Sequence, residues 1–540
     1  MLPMTRRRVL LTAGAATAAL AAAGCDGGDD SATTEDLSGN RTGAMPDFKA
    51  GTQFTATTPL TFSILYSNHA DYPLNKDWLF WKELTKRTNV TLTTVAVPRS
   101  DYEQKRSLLI GAGDAPTIIP KTYRDQEIPF VSSGAILAVS DYLDLMPNFT
   151  TKIAKWNLGA DLDTIRRTDG KFYVLPGVHE EVWTDYSVAM RTDVLDKLRE
   201  PVPRTWDDVH DALAAMKSAY PATIPFSDRF GIPTPGGCLL SVISAAYNTA
   251  AGWDYQNAYW RPAQKKFVFT GAMDEYRNML QFLNTLVRAG LMDREGFTQE
   301  DDAAIQKLAT EKSFAICANA QSIVNDYRPA LAKTHPEAKV AKIPQPAGPA
   351  GNVRRGGRLE NGVMISSKAR QSKDFVAMMQ FIDWLWYSDE GEEFARWGVP
   401  GVTYTKTPAG EYRYLNGLDG TLPLQQKYGF FNGVFAYGGS TQLLESMFSE
   451  EEKEFQKAVN AKTTLPLAPP HPLTDEEQER ATLWETPLKD FVAAASLQFI
   501  LGQRDFAQWD AYLQELETKN MSAYIDLINE AYQRYAKDHG

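Results

Sequence analysis

Residues 60–119 alternate strand, helix, strand, helix and strand, and no other feature narrows the possible folds as much. Leu60 to Tyr66 reads as a strand of mixed apolar and polar residues. Residues 75–88 carry Trp78, Leu79, Trp81, Lys82 and Leu84 and read as a helix. Asn89 to Val97 is β-branched, 101–112 is helical and closes on Leu108, Leu109 and Ile110, and Ala115 to Ile119 is a short apolar strand. Parallel strands joined by crossovers of this length demand right-handed connections and helices on both faces. The fold class expected is therefore α/β, and ligands of such sheets bind beyond the carboxyl ends of the strands.

The pattern continues with a turn into a strand at 169–176 and strands at 186–190, 314–317 and 362–366. Helices are expected from Arg191, from Thr205 (N-cap, with Asp208 at the reciprocal position), and over 272–289, 302–312 and 372–388. In the last of these, Phe375, Met379, Ile382 and Trp386 follow helical spacing, and at most one of Trp384 and Trp386 is expected to face that core. Residues 336–362 are rich in Pro, Gly and Arg and read as loop. Residues 482–501, 505–517 and 521–537 make a helical C-terminus.

Of the 540 residues, 43% are hydrophobic and 23% charged, which suits several domains or two large lobes and excludes overall disorder or coiled coil. After the N-terminus no run of about 20 apolar residues occurs, which excludes a polytopic membrane protein. A net charge of −11 without a basic block argues against nucleic acid as a partner. The 12 Trp and 23 Tyr serve cores and also stack on ring-shaped ligands.

Thr5-Arg6-Arg7-Arg8 precedes a small apolar run, Val9 to Ala23, ending Ala22-Ala23-Gly24-Cys25. A charged start, a short apolar stretch and small residues describe an export signal, here 1–24. Small residues before a cysteine resemble a bacterial lipobox, which implies lipidation of Cys25; the Arg pair also resembles a twin-arginine motif. Residues 25–59 are polar and read as a flexible tether. Cys238 and Cys317 remain in the body, paired or as separate thiols.

Several short stretches resemble one family. Gly170-Lys171-Phe172-Tyr173-Val174-Leu175-Pro176 is followed by Arg191-Thr192-Asp193-Val194-Leu195 and by Pro203-Arg204-Thr205-Trp206-Asp207-Asp208. Leu109 to Ile119 contains Gly111-Ala112-Gly113-Asp114-Ala115-Pro116, and Phe381-Ile382-Asp383-Trp384-Leu385 leads to Ser388-Asp389-Glu390-Gly391. In this order they resemble the extracellular solute-binding lipoproteins of ABC sugar importers, with 524–535 fitting the large LplA-type subgroup. The resemblance implies a two-lobed, periplasmic-binding-protein-like (type II) fold hinged between α/β lobes. Lobes are expected at 60–180 with 320–362 and at 187–313 with 367–540, with crossings near 177–187, 314–320 and 362–367. It also implies a monomer that captures a carbohydrate and delivers it to permease subunits; no cofactor is expected, and with no Asp-x-Asp-x-Asp-Gly loop and the six His scattered, no metal is expected either.

Sugars call for carboxylates to accept hydroxyl hydrogen bonds and ring faces to cover C–H patches. Glu180 and Trp183 at the first crossing offer both, with Glu181 beside them; loop solvation and core packing are the competing roles. Asn68 and Asp71 follow the first strand, where capping competes. Trp253 and Tyr255 sit in a Gly-Trp-Asp-Tyr turn. Arg355, with Arg354 and Arg358, has the fork that suits a uronate, as against a surface loop. Tyr404, Phe430, Phe431 and Tyr437 lie in Gly-rich loops, one or two of them toward the cleft. No Walker A, Gly-x-Ser-x-Gly or His-Glu-x-x-His motif occurs. The alternatives are a peptide- or protein-binding surface adaptor and an anchored glycosidase using a carboxylate pair such as Glu180 and Glu181.

Overall fold

The computed structural model describes residues 36–230 and 234–539; the expected signal and Cys25 lie outside them. Residues 36–39 form a short segment in which the Ser38 N–H donates to Asp36 (2.9 Å). Residues 40–539 build two α/β halves. The first sheet has the order β2 (Val90–Pro98), β1 (Leu60–Asn68), β3 (Ile118–Thr122), Leu359–Ile365 and β4 (Leu175–Val178). β1 pairs in parallel with both β2 and β3, as the βαβ pattern requires, and Leu359–Ile365 runs antiparallel between β3 and β4. Because β2 and β3 flank β1, the connections leave it in opposite directions, and a crevice opens at the carboxyl ends of β1 and β3.

The second sheet is smaller: β5 (Ser187–Arg191) lies between Ala315–Ala318 and Val340–Lys342, antiparallel to both. Its core collects the helices Trp206–Ala219, Gly237–Ala246 and Asp274–Arg288 and the C-terminal helices from Asp475 onward. Thr205 caps Trp206–Ala219 through the expected box with Asp208.

The lobe boundaries differ from expectation. Val340–Lys342 belongs to the second sheet, and the helices Phe375–Tyr387 and Asp389–Trp397 pack on the first, where Asp383 accepts the Asn148 and Phe149 N–H groups at 2.9 and 2.8 Å. The crossings therefore run through 179–186, 343–358 and 449–474. The stretches 314–320 and 362–367 are interior to one half each. A three-residue strand in a Pro- and Gly-rich stretch carries no periodic signal, so 336–362 reads as loop although it holds two strands and the start of a third. Two of the crossings touch: Val353–Arg354 pairs in parallel with Thr463–Thr464.

The tether is also shorter than expected, because residues 40–59 pack on the first half. Phe54 is fully buried 6.1 Å from Phe381, Met45 N–H donates to Gln380 and Thr42 N–H to the Lys373 carbonyl. One aromatic anchor and a few backbone hydrogen bonds suffice to order a polar stretch. Both Trp384 and Trp386 are buried, since the helix Phe375–Tyr387 is enclosed on every side.

Candidate binding cleft

Two of the crossings meet at a buried cation on the strand residue that precedes the third. Lys342 donates to Glu452 (2.8 Å) and to the Asp185 carbonyl (2.9 Å), while Gln456 donates to the Thr184 carbonyl (2.7 Å) and to Glu452 (2.9 Å). The Lys342 ammonium also lies 3.8 Å from the centre of the Phe455 ring. Above it the cleft opens between the halves.

One wall is the switch point of the first sheet. His69 stacks on Tyr72 (4.4 Å, 6°) and meets Arg99 at 2.6 Å. Lys121 lies near the end of β3 and Tyr123 just after it, and Tyr123 is 52% exposed. The other wall is a trio of rings. Tyr186, Phe230 and Trp253 meet edge to face with centroids 5.1–5.6 Å apart. Trp253 keeps 43% of its surface exposed. The walls feel each other's charge. Burial, then Arg99, holds His69 below the usual imidazole value, and Asp71 and Asp326, the latter from the second half, oppose this. Burial and then Asp185 push the Tyr186 phenol up, with Arg99 of the first half opposing.

The trio is held under strain and by close packing. Phe230 adopts φ +62°, a conformation that costs a side-chain-bearing residue about 1–2 kcal/mol. Its N–H donates to Asp301 (2.8 Å), and Arg229 lies 4.3 Å over its ring while pairing with Asp301 and Asp326. Trp253 follows Gly252, at φ +61°, where a Cβ would lie 2.2 Å from the Gly237 carbonyl. A Cβ on Gly237 would lie 2.4 Å from the indole nitrogen of Trp253. The indole therefore depends on two facing glycines.

Asp185 precedes Tyr186 and accepts from Asn319 (3.3 Å). Burial raises it to about 6; Lys342 opposes, Glu452 adds to the rise, and Glu360 acts with Glu452. The wild-type protein keeps the contribution of an uncharged Asp185 below pH 3.8 and loses it as pH rises through about 6. Asp185→Asn is expected to unfold at higher urea than wild type at pH 7, by about 1 kcal/mol, with the gap closing near pH 4. Equal stability at pH 7 would mean that the carboxylate is well solvated.

The other expected residues take varied positions. Asn68 accepts the Leu74 N–H (2.8 Å) in the loop before the helix Leu79–Thr88, which it does not cap, and the exposed Asp71 lies 3.5 Å from His69. The Glu180 carboxylate accepts the Thr441 N–H (3.0 Å). Trp183 lies between His179 and Phe448, with centroids at 6.1 and 5.1 Å, beside a cavity of about 20 Å³. Three expectations are corrected. Tyr255 is a core residue, Phe430 is fully buried between Phe80 and Phe394, and Tyr404 is buried with its hydroxyl on Glu393. Their rings complete local cores, which Gly-rich sequence context does not distinguish from a cleft.

The arginines are committed elsewhere. Arg355 donates to Ser244 (2.5 Å) and the Thr249 carbonyl (2.6 Å) and pairs with Asp254 (3.1 Å). Arg354 bonds Asn460, Thr464 and the Val182 carbonyl, and Arg358 bonds Asp161 and the Trp156 and Asn157 carbonyls. Sequence reasoning missed Asp185, Tyr186 and Phe230. Only the adjacency of Asp185 and Tyr186 to the first crossing signalled any of them.

A cleft lined by edge-to-face rings and rimmed by carboxylates can cover a sugar face and accept its hydroxyl groups. Comparison with known proteins agrees in fold. The family described as bacterial extracellular solute-binding protein matches residues 76–392. The fructooligosaccharide ABC transporter substrate-binding protein FusA of Streptococcus pneumoniae is 23% identical over 92% of this chain and 94% of its own length. The solved structure of FusA in complex with kestose superposes with a TM-score of 0.67 at 20% identity, over 88% of this chain and all of that one. The alginate-binding protein AlgQ2, solved without calcium ion, gives 0.71 at 21% identity over 89% and 99%.

Proposed function

The chain belongs to the bacterial extracellular solute-binding proteins, and on that premise we propose that it captures a neutral oligosaccharide outside the cytoplasm and hands it to an ABC permease. The observation that carries this reading is the trio Tyr186, Phe230 and Trp253 facing the switch point of the first sheet across the cleft. Rings of this kind cover the apolar face of a pyranose or furanose, and Asp185 and Asp254 supply acceptors for its hydroxyls. Neutral sugar is favoured over uronate because Arg354, Arg355 and Arg358 are all bonded to protein groups. FusA, solved with kestose, supports a sugar of this class. The lobes close on the ligand about the crossings, and the ligand leaves chemically unchanged. Lipidation at Cys25 holds a monomer at the extracytoplasmic face of the cell membrane, with permease and ATPase as separate chains.

A thermal-shift panel tests this. Kestose and other neutral oligosaccharides are expected to raise the melting temperature, by linkage to the folded state, and to be recovered intact. Alginate oligosaccharides are expected to leave it unchanged. A shift with alginate alone would overturn neutrality. A shift only with peptides would favour the adaptor reading, and cleaved sugar would favour a hydrolase.

A further inference from the structure

Beneath the aromatic wall lie two thiols and a carboxyl group that ligand capture does not use. Cys238 is the second residue of the helix Gly237–Ala246, and Cys317 lies in the strand Ala315–Ala318. Both are fully buried free thiols in one core. The helix packs on β5, and Cys317 is registered against Val188 of the same strand, so two elements bring the thiols to one place. Each thiol shifts the other's ionisation, as neighbouring groups do. Asp228 adjoins them: one oxygen accepts the Cys317 N–H at 2.8 Å, and the other is buried without a hydrogen-bond partner. Burial raises this carboxyl to about 7, against the Cys317 N–H and thiol, so it is poised to take up a proton near neutrality.

We propose that Cys238 and Cys317 form a disulfide once the chain is outside the cytoplasm, tying the first turn of Gly237–Ala246 to the strand Ala315–Ala318. Extracytoplasmic compartments sustain such bonds. The chain's third cysteine is Cys25, so the folded body holds a single possible pair. The bond forms by exchange with the disulfide of an extracytoplasmic thiol oxidant. Before the core closes over the thiols during folding, the Cys238 thiolate attacks that disulfide, giving a mixed disulfide and one oxidant thiol. Cys317 passes its proton to Asp228, and its thiolate displaces the second oxidant thiol from Cys238. Two protein thiols lose two protons and two electrons, and the oxidant leaves as its dithiol. The crosslink also steadies the ligand wall, because Gly237, beside Cys238, carries the close contacts with Gly252 and Trp253.

The test needs no knowledge of the ligand. Protein recovered from the extracytoplasmic side is quenched in acid, unfolded, alkylated with a maleimide and mapped by mass spectrometry. The expected result is a linked pair of peptides carrying Cys238 and Cys317, alkylated only after reduction. Reduction is expected to lower the melting temperature of the wild-type protein by several degrees, because a long chain loop is released. The C238S/C317S protein should melt alike with and without reductant. Free, alkylated Cys238 and Cys317 in unreduced protein, even after incubation with oxidised glutathione, would overturn the proposal, as would a link from either to Cys25.

Discussion

Replacing Trp253 with alanine is expected to weaken oligosaccharide binding by about 30-fold or more, equivalent to about 2 kcal/mol, the loss typical of a central aromatic contact. The ligand-free protein should melt within about 2 °C of wild type. The indole is 43% exposed, and its contacts are edge-to-face approaches to Tyr186 and Phe230 with no deep burial. Isothermal titration with the sugar that gives the largest thermal shift, together with melting curves, separates the two quantities. Unchanged affinity would remove the trio from the binding wall. A large drop in melting temperature would recast Trp253 as a structural plug.

The largest stability effect is expected at Lys342. Its side chain is 2% exposed and that of Glu452 6%. Lys342→Met leaves the Glu452 carboxylate buried beside Asp185 with no cation, and removal of one partner from such a pair costs about 3–5 kcal/mol. The double change Lys342→Met with Glu452→Gln should recover most of the loss, since it withdraws the stranded charge while the Gln456 hydrogen bond persists. Urea unfolding of wild type, single and double variants forms the cycle. A single variant as stable as wild type would mean that water already reaches the pair.

The sequence revealed the parts of this fold that rest on local signals. The βαβ order of residues 60–119 follows from apolar periodicity and β-branching, and Thr205 with Asp208 announces its helix because both capping partners lie within one turn. What escaped depends on distant partners. Val340–Lys342 is a strand only because β5, about 150 residues earlier, offers it an edge, so the lobe boundaries were displaced. Residues 40–59 look like tether until Phe381 supplies a surface for Phe54. The cleft was half legible. Trp253 stood out in its turn, whereas Phe230 takes its place through a positive φ and the Arg229 network, neither written in neighbouring residues. Phe430 and Tyr404 sit in the same Gly-rich context as a ligand loop would, and burial alone distinguishes them.

The contact between Val353–Arg354 and Thr463–Thr464 bears on how many ways the halves can move. Three independent strands between two rigid bodies would permit bending, twisting and sliding. With two of them zipped side by side and the third held to Lys342 through the Asp185 carbonyl, the connection acts as a pin and leaf with one soft rotation. A single angle then labels every state from open to closed, and one distance measured across the cleft reports it.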